Sequence, residues 1–174
     1  NYNSITSLAE SPLEAGLLYA GTDDGLIHVS QDDGGSWRSI EVGSLPGVPD
    51  RAFINDIRAD LHDADTVYVA LDNHKYGDFS PYLLVSKNRG RSWKKITNGI
   101  PDRHLVWRLV QDHVRPELMF AATEFGVFAT FDAGKEWHKL SGVMPTISIR
   151  DIQIQRREND LVAASFGRGF FVMD

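Results

Sequence analysis

The chain has no cysteine at any of its 174 positions. That absence removes disulfide cross-links, a thiol nucleophile and cysteine-ligated zinc. No apolar run approaches the roughly 20 residues of a membrane-spanning helix, so no membrane span is expected. Basic charge is in deficit, with 18 Lys and Arg against 24 Asp and Glu. A protein that grips a phosphate backbone normally presents a basic face, and nucleic acid is therefore not expected as a partner. Helical periodicity is missing too; short alternating segments are punctuated by Gly, Asn and Asp. The histidines, His28, His62, His74, His104, His113 and His138, show no HxxxH or HxH spacing, so no metal site is expected. Phosphate-loop and serine-elbow motifs are absent, "FGRGF" is too short for a dinucleotide fingerprint, and no cofactor is expected.

What the sequence does contain is a repeat. "SQDDGGSWRSI", "SKNRGRSWKKI" and "TFDAGKEWHKL" spell one pattern, Ser/Thr-x-Asp/Asn-x-Gly-x-x-Trp. Its members are Ser30, Asp32, Gly34 and Trp37; Ser86, Asn88, Gly90 and Trp93; and Thr130, Asp132, Gly134 and Trp137. Before each box come a short alternating segment ("ITSL", "INDI", "VWRL"), a polar connector, and two apolar segments such as "LLYAGT" and "GLIHVS". A fourth copy starts at "IRDI" and stops at Asp174, where its own box would begin.

Successive copies start at Ile5, Ile54, Val106 and Ile149, spacings of 49, 52 and 43 residues (54−5, 106−54, 149−106). A period of about 40 to 50 residues is that of four-stranded propeller blades. The reading is an all-β fold: a partial β-propeller of about four antiparallel blades with strands A to D. The box is the C-to-D hairpin, and the last blade lacks its D strand. Blade units fall at about 1–49, 50–101, 102–145 and 146–174 of a single segment. In each box the Asp or Asn and the hydroxyl satisfy turn N–H groups, Gly takes a positive φ, and Trp packs into the seam between blades. A calcium loop is not expected, since no bidentate Glu closes a 12-residue ligand set.

These boxes resemble the Asp-box, or BNR, repeats of sialidase-type and sortilin (Vps10)-type β-propellers. The ending "NDLVAASFGRGFFVMD" is similar to the closing blade of large bacterial "glycosyl hydrolase BNR repeat" proteins. The resemblance covers essentially the whole chain. It implies an extracellular or periplasmic location and either a non-catalytic scaffold for a protein, peptide or glycan, or part of a secreted sialidase- or xyloglucanase-like glycoside hydrolase.

In an antiparallel meander the boxes share one face with the A-to-B connectors, and the B-to-C and D-to-A loops share the other. That second face is where departures from the repeat are free to carry function. Its candidate ligand-binding residues are Asp23, Asp24, Arg51, His74, Tyr76, Arg103, Glu124 and Arg168. Asp24 and Glu124 are read as corresponding loop positions and as the candidate catalytic carboxylates, although glycoside hydrolysis needs a pair roughly 5 to 9.5 Å apart. Arg51, Arg103 and Arg168 are expected to form one anion-preferring patch. The chain opens on "NYNSIT", without an initiator Met or a signal-peptide core, and is read as a piece of a longer protein. With 15 strands (3×4 + 3), it is expected to associate with the remaining blades of a parent chain or with a second copy of itself.

Overall fold

The computed structural model describes residues 3–142 and 144–174, so Asn1 and Tyr2 in "NYNS" and Val143 in the loop "GVMPT" lie outside the described residues. Among the described residues, fifteen strands form four antiparallel sheets of 4, 4, 4 and 3 strands, each in sequence order. The first holds β1 (Ile5–Glu10), β2 (Leu18–Thr22), β3 (Leu26–Ser30) and β4 (Arg38–Glu41). The second holds β5 (Phe53–Ala59), β6 (Val67–Asn73), β7 (Asp78–Ser86) and β8 (Lys94–Lys95). β9 (Val106–Gln111), β10 (Met119–Thr123), β11 (Gly126–Thr130) and β12 (His138–Lys139) form the third. β13 (Ile149–Gln155), β14 (Asp160–Ser165) and β15 (Phe170–Met173) form the fourth. This is the blade architecture that the repeat predicts, with its first strands β1, β5, β9 and β13 adjacent to one another.

The second and third blades are buried on both faces, and the residue type follows. In β6, Val67, Val69 and Leu71 enter the core shared with the first sheet. Tyr68 and Ala70 point the other way, into the core shared with the third. Strand alternation therefore serves two seams at once, which is why "TVYVAL" reads as a continuous apolar run rather than an alternating one. A third core joins Ala122 and Val127 to Ile149, Ile152, Leu161 and Ala163.

The box turns have one internal design. Ser30 Oγ accepts the Gly34 N–H at 2.8 Å, Ser86 Oγ that of Gly90 at 2.8 Å, and Thr130 Oγ1 that of Gly134 at 3.0 Å. Each hydroxyl donates in turn to Asp32, Asn88 or Asp132. Those side chains then accept backbone N–H groups of Ser36, Ser92 and Glu136. Two successive left-handed residues are needed, not one: Asp33, Arg89 and Ala133 (φ 57°, 56° and 59°) precede the glycines. Their N–H groups bond Gly16, Asp65 and Glu117 carbonyls, fixing every box to its own A-to-B connector.

The turn donors hold both box carboxyls below the ordinary 3.8, chiefly the Ser36 hydroxyl for Asp32 and the Thr130 hydroxyl for Asp132. A depressed carboxyl pKa contributes stability that is present above the unfolded value and lost as pH falls through the folded one. Urea midpoints are therefore expected to drop below about pH 4, and an Asp32→Asn, Asp132→Asn double variant is expected to flatten that acid limb. An unchanged limb would show that these turns do not sense protonation.

The box tryptophans divide by seam. Trp137 is 2% exposed and Trp93 packs on the core between the first two sheets, as the sequence predicts. Trp37 is 44% exposed. Its indole N–H donates to Gly34 of its own turn, whereas that of Trp137 reaches back to the Ile96 carbonyl of the preceding blade. The docking surface for a box is thus the D strand of the blade before it, and the first described blade has none.

The insertion "DNHKYGDFSP" is not a loose loop. β6 and β7 extend to Asn73 and Asp78, which pair across the hairpin, and a short 3-10 turn at His74–Tyr76 with Gly77 in the left-handed region caps it. Tyr82 is buried, and its hydroxyl donates to Asp78 at 2.6 Å.

Candidate functional site

Every inner strand carries an irregularity at the same place. The register shifts between Ile5 and Ser7, between Ile54 and Asp56, opposite Ala122 and Thr123 in β9, and between Ile149 and Asp151. The residues at this slot are Thr6, Asn55, Trp107 and Arg150. A bulge leaves one side chain outside the ladder and re-aims it. Thr6 spends it on the next blade, its hydroxyl donating to Ile54 O at 2.7 Å, and Asn55 Nδ2 donates to Val106 O at 2.9 Å. These two are ties to the backbone of the next blade. Trp107 and Arg150 make no such bond among the described residues.

Trp107 instead forms the floor of a cleft of about 270 Å³ on the loop face. Its indole N–H donates to Glu124 Oε2 at 3.0 Å, and the same oxygen accepts the Ser148 hydroxyl at 3.0 Å. The Arg150 guanidinium lies 3.8 Å above the Trp107 ring and 5.2 Å from the Phe166 ring, with Nη2 3.6 Å from Glu124 Oε2. Stacking on an aromatic face leaves the in-plane N–H groups of a guanidinium free to bind. On the opposite wall Arg103 stands over Phe79 at 5.0 Å, and Phe125 packs edge-on against His104. His74, at the tip of the extended second-blade hairpin, closes the cleft edge-on to Trp107, with ring centroids 6.1 Å apart.

Three of the sequence-predicted residues, His74, Arg103 and Glu124, thus share one cleft. Asp24 and Arg51 line a different one, of about 300 Å³, together with Glu41 and Asp50. Arg168 lies on the β14–β15 turn and lines neither, so the structure does not bring the three arginines together. Arg51 and Arg103 share a backbone role instead: both adopt left-handed φ, 61° and 65°, in the turn before strand A. Tyr76 projects from the hairpin tip, 65% exposed. Asp23 is occupied structurally, accepting the Asn3 and Ser4 N–H groups at 2.9 Å.

Ladder bonds correct one correspondence. The Glu124 N–H donates to Leu105 O as that of Asp23 donates to Ser4 O, so the first-blade counterpart of Glu124 is Asp23, not Asp24. Missed by the sequence reading were Trp107 and Arg150; Phe79, Phe125 and Asp72 lie in loops read as the second face but are not among its candidate residues. The signal for Trp107 was visible in "VWRL", where a large aromatic replaces the Thr6 and Asn55 of its counterparts.

Among the described residues no group of three or more His, Asp or Glu side chains is arranged to hold a metal ion. No helix there is long and apolar enough to cross a membrane.

The fold belongs to the β-propeller class, and solved structures match nearly all of it. A Niastella koreensis GH74 enzyme superposes with a TM-score of 0.70 at 15% identity over 92% of this chain and 26% of its own. YCF48 bound to D1 peptide gives 0.70 at 14% identity over 98% of this chain and 51% of its own. The extracellular domain of the BT4673 two-component system from B. thetaiotaomicron gives 0.72 at 17% identity, over 99% and 21%. The chain thus spans between about a fifth and a half of these proteins. No protein-family model matches it, and no curated protein does.

Proposed function

We propose that this chain is a segment of an Asp-box β-propeller of the sortilin-like type, extracellular or periplasmic, whose loop-face cleft binds a protein, peptide or glycan segment without turning it over. One observation carries the reading: the cleft arises where the bulge residue stops tying blades together and becomes the stacked pair Trp107 and Arg150. A pocket with aromatic walls and a few oriented polar groups is what ligand sites are made of. Fold neighbours include GH74 enzymes as well as a protein solved with a peptide bound, so the fold leaves both classes open.

The glycoside hydrolase alternative has Glu124 in its favour, a carboxylate held against Trp107. Against it, Glu124 is the one carboxylate among the described residues lining that cleft, and Asp24 lines another. Hydrolysis at this site would need a second carboxyl group. The exposed Trp37, Leu8 and Ile5 face of the first blade has the composition that elsewhere in the molecule is covered by a neighbouring blade. We read it as the contact for a further blade, from a parent chain or a second copy.

Glycan and peptide arrays probed with the chain test the cleft. Trp107→Ala and Arg150→Ala are expected to weaken any captured ligand by at least about tenfold, the loss of a stacked or charge-assisted contact, while Asp24→Ala leaves it unchanged. Equal loss with Asp24→Ala would move the site elsewhere. Turnover of sialosides or xyloglucan that disappears in Glu124→Gln would establish the hydrolase reading instead.

A further inference from the structure

The second-blade lip of the cleft is built differently from its counterparts. In the other three hairpins strand B ends in a hydroxyl residue that bonds across the turn. Thr22 reaches Leu26 O at 3.2 Å, Thr123 reaches Gly126 O at 2.8 Å, and Ser165 reaches Gly169 O at 2.8 Å. By the ladder register, the second-blade residue at that place is Leu71, opposite Ile54 as Thr22 is opposite Ile5. The turn is replaced by the extended hairpin, and the residue after Leu71 is Asp72.

Asp72 is 1% exposed. Its Oδ1 accepts the His74 backbone N–H at 3.1 Å and meets the His74 ring at Nδ1. Its Oδ2 is buried without a partner among the described residues. A buried carboxylate is costly unless hydrogen-bond donors answer it, and here the donors come from His74, whose side chain is 41% exposed and lines the cleft.

We infer that Asp72 is a positioning residue for the cleft. An ionised carboxylate only accepts hydrogen bonds, so in its neutral form the His74 ring facing it carries its proton on Nδ1. Its other nitrogen, Nε2, is then an unprotonated acceptor on the cleft side. This rests on the reading of the cleft as a binding site, and it sharpens that reading to a ligand class. His74 on the second-blade lip accepts, while Arg103 over Phe79 and Arg150 over Trp107 donate into the same cleft. A neutral group that both donates and accepts, a hydroxyl or an amide, satisfies both sides. A carboxylate satisfies the arginines but meets a lone pair at His74.

Long-range ¹H–¹⁵N spectra of the ¹⁵N-labelled chain at pH 8 read the tautomer without any ligand. The wild-type His74 ring is expected to show a protonated Nδ1 and a bare Nε2, and Asp72→Ala to shift the proton toward Nε2. Should Asp72→Ala not fold, the near-isosteric Asp72→Asn, whose amide can face the ring either way, is expected to give a mixture of both forms. A wild-type ring protonated at Nε2, or a ring unchanged by loss of the carboxylate, overturns the assignment. Matched array pairs test the ligand class: glucoside against glucuronide, and peptide amide against free acid. The neutral members are expected to bind roughly tenfold tighter, the cost of one unpaired polar group, with the gap narrowing in the Asp72 variants. A preference for the acids overturns the ligand class. Should no member of any pair bind, both the ligand class and the binding reading fall, while the spectra still decide the role of Asp72.

Discussion

Replacing Trp137 by alanine is expected to lower the stability of the chain by about 3 to 5 kcal/mol, the range for deleting a buried aromatic. The indole is 2% exposed inside the core between the second and third blades. Its N–H donates to Ile96 O at 2.7 Å, so truncation also leaves a buried carbonyl without its partner. For a protein of this size each kcal/mol moves the melting temperature by about 2 to 4 °C, which makes the expected fall roughly 10 °C. Trp93→Ala should cost somewhat less: the ring packs on the first core, but its buried indole nitrogen has no partner to lose. Trp37→Ala should cost under about 1 kcal/mol, because that side chain is 44% exposed. Calorimetry on the three variants checks the order, and equal shifts would contradict the role of the preceding blade in burying each box.

Gly99→Ala is the second large effect. Gly99 lies beyond the short D strand of the second blade at φ 90°, a region side chains rarely adopt. An added Cβ would stand 2.2 Å from the Trp137 carbonyl oxygen and 3.0 Å from its backbone nitrogen and carbon. The obstruction is main chain held by its own bonds: Trp137 N–H donates to Asn98 O at 2.9 Å, and Asn98 Nδ2 donates to Lys135 O at 3.1 Å. Strain and overpacking together are expected to cost about 3 kcal/mol or more. Gly47→Ala, at φ 70° with no neighbour within 4 Å of the added carbon, isolates the backbone share of that cost. Similar urea midpoints for the two variants would mean that the seam yields and the close approach is not a constraint.

The period and the boxes made the fold readable, because one residue pattern recurs wherever the same physical problem recurs. Ser86, Asn88 and Gly90 mark a turn in the sequence for the same reason they form one in the structure: Ser86 and Asn88 each accept a backbone N–H four residues on, and Gly90 supplies the first of them. The cleft was only half readable. His74, Arg103 and Glu124 were placed on the correct face by topology, but Trp107 and Arg150 sit in strands, and what turns them into the cleft is a bulge. A bulge shifts register by one residue with no composition of its own, so alternation alone could not say which way either side chain points. Asp72 was hidden for another reason: its burial depends on a hairpin extension that reads, residue by residue, as a polar loop. Trp37 matches its two counterparts in sequence and differs only in what stands next to it, which no local pattern records.

The hydrogen bonds of the boxes also bear on how the molecule is assembled in time. Nearly all of them close within four residues, whereas the cores that Trp93 and Trp137 enter join segments some tens of residues apart. Short closures cost little chain entropy and form early; distant ones must wait for it to be spent. Each C-to-D hairpin can therefore take shape while its neighbours are still disordered, and blades then add to one another along the arc as units in a linear array. In such an array the end units have a single neighbour and open first. The cleft, which draws on the second, third and fourth blades, is complete only once three of those units have joined.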